Sequence, residues 1–103
     1  MTDIAFYHNN QGLCYYHLAR DKLEDEAILR QSIAEFNKAI YADELNPIHY
    51  LNRGNVFINM RKYEPAKADF DRAIELDPTN AKFYHAKGLT CQTEADSTNN
   101  QKR

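Results

Sequence analysis

A chain of 103 residues holds one domain, and a formal net charge of −2 supplies no global attraction to nucleic acid. The apolar fraction of 43% is ordinary for a soluble protein. No apolar run is long enough to span a bilayer, and the N-terminus lacks the basic-then-apolar layout of a signal peptide. Two cysteines, Cys14 and Cys91, stand far apart in no metal or redox spacing, as befits free thiols in a reducing, cytoplasmic compartment. Only three glycines and three prolines, among abundant Ala, Leu, Lys, Glu and Ile, predict an all-helical chain.

In chain order, the first helix is expected to begin near Asp3, a suitable N-cap, and to run to about Arg20. A turn near Arg20 to Leu23 follows. Asp21-Lys22-Leu23-Glu24 has a capping-box layout, and Glu24, Asp25 and Glu26 suit the start of a second helix that reaches about Asp43. Asn46-Pro47 opens the third helix: Asn caps it, and Pro at the first helical position gives up a donor that is unpaired there anyway. Arg61-Lys62 form a tight turn, and Pro65 is tolerated in the first turn of the fourth helix. Asp77-Pro78 stops that helix and Asn80 caps the fifth, which carries Phe83, Tyr84, Gly88, Leu89 and Cys91. Its period fades by about residue 95, so the polar stretch 96–103 is expected to be a frayed or disordered tail.

The helices repeat. Tyr50, Gly54, Phe57 and Ile58 share one helical face, and Ala66, Phe70, Ala73 and Ile74 share another. Tyr50 recurs as Tyr84 and Gly54 as Gly88, each 34 positions on (84 − 50 and 88 − 54). Phe36, Ala39, Ile40 and Asp43 precede Phe70, Ala73, Ile74 and Asp77 by the same 34. Gly12 to Gly54 is 42, so the first unit holds eight extra residues (42 − 34), which about one more turn on each of its helices would absorb. The glycines are expected where neighbouring helices approach closely, with Ala66 and Ala73 serving that purpose on the partner helix.

The stretch 47–80 resembles the tetratricopeptide repeat, whose period this is. Tyr50 stands where the family usually has Trp, Gly54 is its glycine and Phe57 stands at its Tyr. Ala66, Phe70, Ala73 and Pro78 match the rest. Arg53, and Lys87 in the next unit, replace a usual Leu, which suggests looser packing there. The resemblance implies an all-α fold, a right-handed alpha-alpha superhelix (a solenoid) of about two and a half helix-turn-helix repeats. They fall at about 5–46, 47–80 and 81–95 within a single domain, 1–95.

It also implies a non-catalytic protein–protein interaction module that binds an extended peptide segment in a concave groove lined by the first helix of each repeat. Groove positions carried over are Asn9, Leu13, Tyr16 and His17 (with Phe6) from the first repeat. Ile48, Leu51, Asn52, Asn55 and Asn59 come from the second, and Lys82, His85 and Leu89 (with Ala86) from the third. Co-chaperones of this family grip the C-terminal carboxylate of heat-shock chaperones with two Lys, two Asn and an Arg. Asn52 and Lys82 match that clamp, but Asn9, Leu13 and Ala86 replace a Lys, an Asn and the Arg. Two of five, without the bidentate Arg, argues against it.

The alternative is a structural, self-assembling scaffold module, a fragment of a longer repeat array or a homo-oligomer through the uncapped C-terminal helix. That helix should lack a partner on the side of Phe83 and Leu89. Cys14 and His17 have helical spacing but no third ligand, so Cys14 reads as a buried thiol and no metal is expected. His8, His49 and His85 are scattered. Basic residues at 53, 61, 62, 67 and 72 interleave with Glu64, Asp69, Asp71 and Glu75 and read as a solvated mixed-charge face. No phosphate loop, nucleophile–base pair or paired carboxylates are present, so no enzyme, cofactor, nucleic acid or membrane is expected.

Overall fold

The computed structural model describes residues 3–21 and 26–101, with side chains at all of these except 20, 21 and 98–101. The described residues form five helices and no strand: α1 (Asp3–Asp21), α2 (Glu26–Ala42), α3 (Pro47–Asn59), α4 (Tyr63–Leu76) and α5 (Ala81–Gln101). The first pair is long, at 19 and 17 residues against 13 and 14 for the second, so the eight extra residues lengthen both helices. The expected turn around Leu23 and most of its capping box lie outside the described residues.

Local chemistry sets the helix ends. Asn46 Oδ1 accepts from the backbone N–H of Ile48 at 3.0 Å, and Asn80 Oδ1 from that of Lys82 at 3.0 Å, so the same cap opens α3 and α5. At the end of α3, Lys62 N–H donates to Phe57 O and Arg61 N–H to Ile58 O, both at 2.9 Å. That bond pair is a Schellman ending, and it puts Arg61 at φ 61°, in the left-handed region where glycine is usual.

α1 packs on α2, α3 on α4, and each pair packs on the next first helix, α2 against α3 and α4 against α5. α1 touches α3 and α3 touches α5, while α2 and α4 share no contact among the described residues. A double layer whose members meet on one side only must bend toward that side, so α1, α3 and α5 line the inner, concave face. The extents of 48 × 33 × 17 Å fit a slab two helices thick.

The core sits between repeats. Ala19, Leu29 and Phe36 of the first hairpin close on Val56 of α3, with Leu13, Tyr16 and Met60 packed alongside. Tyr50 and Ala73 of the second close on Phe83 of α5, with Ile40, Leu51 and Ile74 around them. No hairpin completes its own core, and stacking is what removes these side chains from water. Phe36, Phe70 and Phe83 are fully buried, each a contribution of about 3 kcal/mol.

Several expectations are corrected. The polar stretch from residue 96 is helical through Gln101. Tyr63 Oη lies 3.0 Å from Ser97 Oγ, and Lys67 Nζ lies 3.0 Å from Glu94 Oε2, so polar contacts to α4 hold what apolar periodicity could not predict. Phe83 is buried against the second hairpin, whereas Leu89 is exposed as expected, and Tyr84 and Gly88 are uncovered as well. Gly12 and Gly54 are close-approach positions, but Gly88 faces open space. Arg53 is tightly held: Nε and Nη2 fork onto Asp69 at 2.9 and 2.6 Å, and Nη1 donates to Asn37 at 2.9 Å. Asp69 is buried, so that position belongs to the packing and not to a solvated face. Cys14 is exposed, as is Cys91. Among the described residues no helix is long and apolar enough to cross a membrane.

Candidate functional site: a concave face with a fixed amide

The concave layer carries the residues expected to line a groove, in three conditions. His17, Ile48, Lys82, His85 and Leu89 are exposed. Asn52, Asn55 and Asn59 are half-buried along α3. Leu13 and Tyr16 are partly spent on the first core cluster and Leu51 on the second, so each offers only part of its surface.

Asn9 departs furthest from expectation: it is only 8% exposed. Its Oδ1 accepts from Asn52 Nδ2 at 2.9 Å and from His49 Nδ1 at 3.1 Å, across the boundary between the first and second repeats. Asn9 is therefore not a free ligand contact. It orients the Asn52 amide, one of whose donors it occupies.

His49 was not legible as part of this arrangement. It is 1% exposed, and with Asn9 Oδ1 as acceptor the imidazole carries its proton on Nδ1. Nε2 then presents its lone pair 3.5 Å from Asp43 Oδ2 and has no hydrogen-bond partner. Burial pushes the imidazole below its ordinary value, and the opposing pull of the Asp43 carboxylate is smaller. Asp43 Oδ2 accepts from Asn46 Nδ2 at 3.3 Å. A polar chain thus runs from the end of α2, through the cap and first turn of α3, to α1 and out to Asn52. One signal could have found it: His49 plus 34 is Phe83, a fully buried position, so the periodicity itself assigns this histidine to the interior.

His8 Nδ1 lies 2.7 Å from Glu35 Oε1, tying α1 to α2. Burial raises the Glu35 carboxyl, but hydrogen bonds from His8 and Lys38 together outweigh it and leave the group below its usual range.

Stacked helical hairpins whose second helices recur 34 residues apart (Phe36 and Phe70), curved around an inner layer of first helices, define a helical-repeat solenoid. Residues 47–80 match the family model of the tetratricopeptide repeat, so the chain carries a tetratricopeptide repeat there. It is 29% identical over 65 residues to a TPR repeat-containing protein of Methanocaldococcus jannaschii, covering 63% of this chain and 12% of that one. It is 38% identical over 56 residues to the Protein SGT1 homolog of Oryza sativa subsp. japonica, covering 54% and 15%. RNA polymerase II-associated protein 3 of Gallus gallus is 29% identical over 58 residues, covering 56% and 9%. The chain thus spans less than a sixth of the length of these relatives. Among solved structures it is similar to the second TPR of Spaghetti (RPAP3), bound to the HSP90 peptide SRMEEVD. The TM-score is 0.75 at 22% identity, over 91% of this chain and 80% of that one. That likeness is one of fold.

Proposed function

We propose that this single domain is a non-catalytic protein-interaction module, working in a reducing, cytoplasmic setting, that takes an extended peptide segment along α1, α3 and α5. The observation that carries the reading is the Asn52 amide, held by a buried Asn9 that is itself held by His49. An oriented amide in the same helix layer as exposed Ile48, Lys82, His85 and Leu89 offers an extended chain both backbone hydrogen bonds and apolar contacts. Orientation of that amide before binding lowers the entropic cost of association.

The similar structure holds a peptide ending in acidic residues. In this chain Asn9 is buried and Leu13 and Ala86 carry no charge, so Lys82 stands without the cationic partners of a carboxylate clamp. We therefore assign recognition to main-chain and apolar contacts. The test is selection from a random peptide library on the intact chain beside an Asn52→Ala, Lys82→Ala double variant, with the winners followed by amide shifts. Shifts at Asn52, Asn55 and Lys82, lost in the double variant, are expected. Winners that shift only the far end of α5, or bind both forms equally, refute the reading. SRMEEVD is the comparator, with no dependence on its free C-terminal carboxylate expected.

A further inference from the structure

The turns after α2 and after α4 can be compared residue by residue, because the same asparagine cap opens the helix that follows each. Tyr41, Leu45 and Ile48 around the first fall 34 positions before Glu75, Thr79 and Lys82 around the second (75 − 41, 79 − 45 and 82 − 48). All six are exposed. Packing therefore needs nothing apolar at these positions, and the second turn is polar at all three. The first is apolar at all three: Tyr41 is 93% exposed, Leu45 70% and Ile48 41%. Both hairpins that flank the first turn are present and packed on each other, so its exposure is not that of an open end of the stack.

The patch continues into the concave layer. The first hairpin and the tight turn after it reverse the chain twice, so α1 and α3 run the same way, and Asn9 bonds Asn52 across them. Phe6 lies three residues before Asn9 and Ile48 four before Asn52, so both stand one helical turn N-terminal of that bonded pair. Phe6 is exposed too. Apolar side chains thus run from Phe6 and Ile48 on the inner layer, over the turn at Leu45, to Tyr41 at the end of α2. A contiguous exposed run of this kind, rimmed by polar groups, marks an interaction surface.

Its charge is one-sided. From Ala39 to Tyr50 the chain carries two carboxylates, Asp43 and Glu44, and no Lys or Arg. Asp43 is turned inward, with Oδ2 accepting from Asn46 and 3.5 Å from His49 Nε2. Glu44 is exposed, and its carboxylate enters no ion pair among the described residues. The last cation of α2, Lys38, is already held by Glu35 at 3.2 Å. We infer that this turn extends the groove and takes the part of an extended partner segment that carries a bulky apolar residue with a lysine or arginine within two positions of it. The apolar side chain lies on Leu45 and Ile48, and the cation meets Glu44. Tyr41, three residues from Glu44, adds an aromatic face that also favours a cation. The inference rests on the concave-face reading above and names the chemistry of one end of its ligand.

The probe is a random library of short peptides, selected on the intact chain and on a variant that carries the second turn's residues in the first: Tyr41→Glu, Leu45→Thr and Ile48→Lys. That variant keeps the fold, because the same residues hold the equivalent exposed positions of the next turn. Winners on the intact chain are expected to be enriched in Lys or Arg within two positions of a bulky apolar residue. They should shift the amides of Glu44, Leu45 and Ile48 together with that of Asn52. Each should bind the triple variant at least about tenfold more weakly, as loss of two aliphatic contacts requires. Glu44→Lys should weaken the same winners about two- to fivefold and prefer copies in which Glu replaces the base. Winners that shift Asn52 and Lys82 without this enrichment, or that bind the triple variant equally, overturn the inference and leave the concave-face reading standing. Winners that shift Glu44 and Leu45 but not Asn52 overturn that reading and uphold the turn as a site of its own. Shifts at the turn that grow with chain concentration in the absence of peptide overturn the inference, because a second copy is then the occupant.

Discussion

Phe70 lays its ring across Gly54, with the ring edge 2.6 Å from where a Cβ on that glycine would stand. Phe36 does the same to Gly12. In both repeats, then, glycine is chosen for its lack of a side chain and not for an unusual backbone, since no glycine here has positive φ. Gly54→Ala should destabilise the chain by about 1–3 kcal/mol through overpacking. Gly88→Ala should stabilise it by about 0.5–1 kcal/mol, because alanine is the better helix former and its Cβ meets nothing. Chemical denaturation of the two variants checks both the size and the opposite signs.

Arg61 occupies the left-handed position of the α3 ending at φ 61°. A side chain there costs about 1 kcal/mol that glycine avoids. Arg61→Gly should raise the stability by somewhat less than this, because glycine also loosens the unfolded chain. The denaturation midpoint should rise with its slope unchanged.

The fork between Arg53 and Asp69 spans a half-buried cation and a buried carboxylate. Exposed pairs contribute about 0–1 kcal/mol and removal of one partner of a buried pair costs about 3–5, so Asp69→Ala should cost about 2 kcal/mol. A double-mutant cycle with Arg53→Met isolates the pair. The same Arg53 also donates to Asn37, so that variant should loosen α2 as well, visible as faster amide exchange in its C-terminal half.

His49 makes the chain pH-sensitive in a definite direction. Its folded-state value lies below the ordinary 6.5, so the unfolded chain takes up the proton first. Stability from the neutral imidazole is fully present above pH 6.5 and declines as pH falls below that toward the lowered folded value. The thermal midpoint should drop between pH 7.5 and pH 5.5, and His49→Gln should flatten that slope. Because Asn9 ties His49 to Asn52, peptide affinity at the concave face should fall over the same range and lose that dependence in the variant.

Much of the architecture was legible in the chain itself. A spacing of 34 between Tyr50 and Tyr84, and between Gly54 and Gly88, named the repeat, and Asn46 and Asn80 marked two helix starts that the structure places where expected. These features depend on contacts within a hairpin or on a cap two residues away, where sequence separation and spatial separation coincide. The concave face was legible as a register of positions, but not in its detail: the burial of Asn9 and the role of His49 rest on a bond across 40 residues.

The residues alone determined an all-helical repeat, its period and which faces are apolar, because a helix imposes a fixed angle per residue on every side chain. Only the folded arrangement decided that Gly54 is filled while Gly88 stands open, that Arg53 is clamped, and that α5 runs on to Gln101 along polar contacts with α4. The reason is that identical letters in successive repeats have different neighbours: among the described residues a second helix packs on Gly54 and none packs on Gly88. A glycine is a notch in either place, and whether it is filled is decided by another part of the chain.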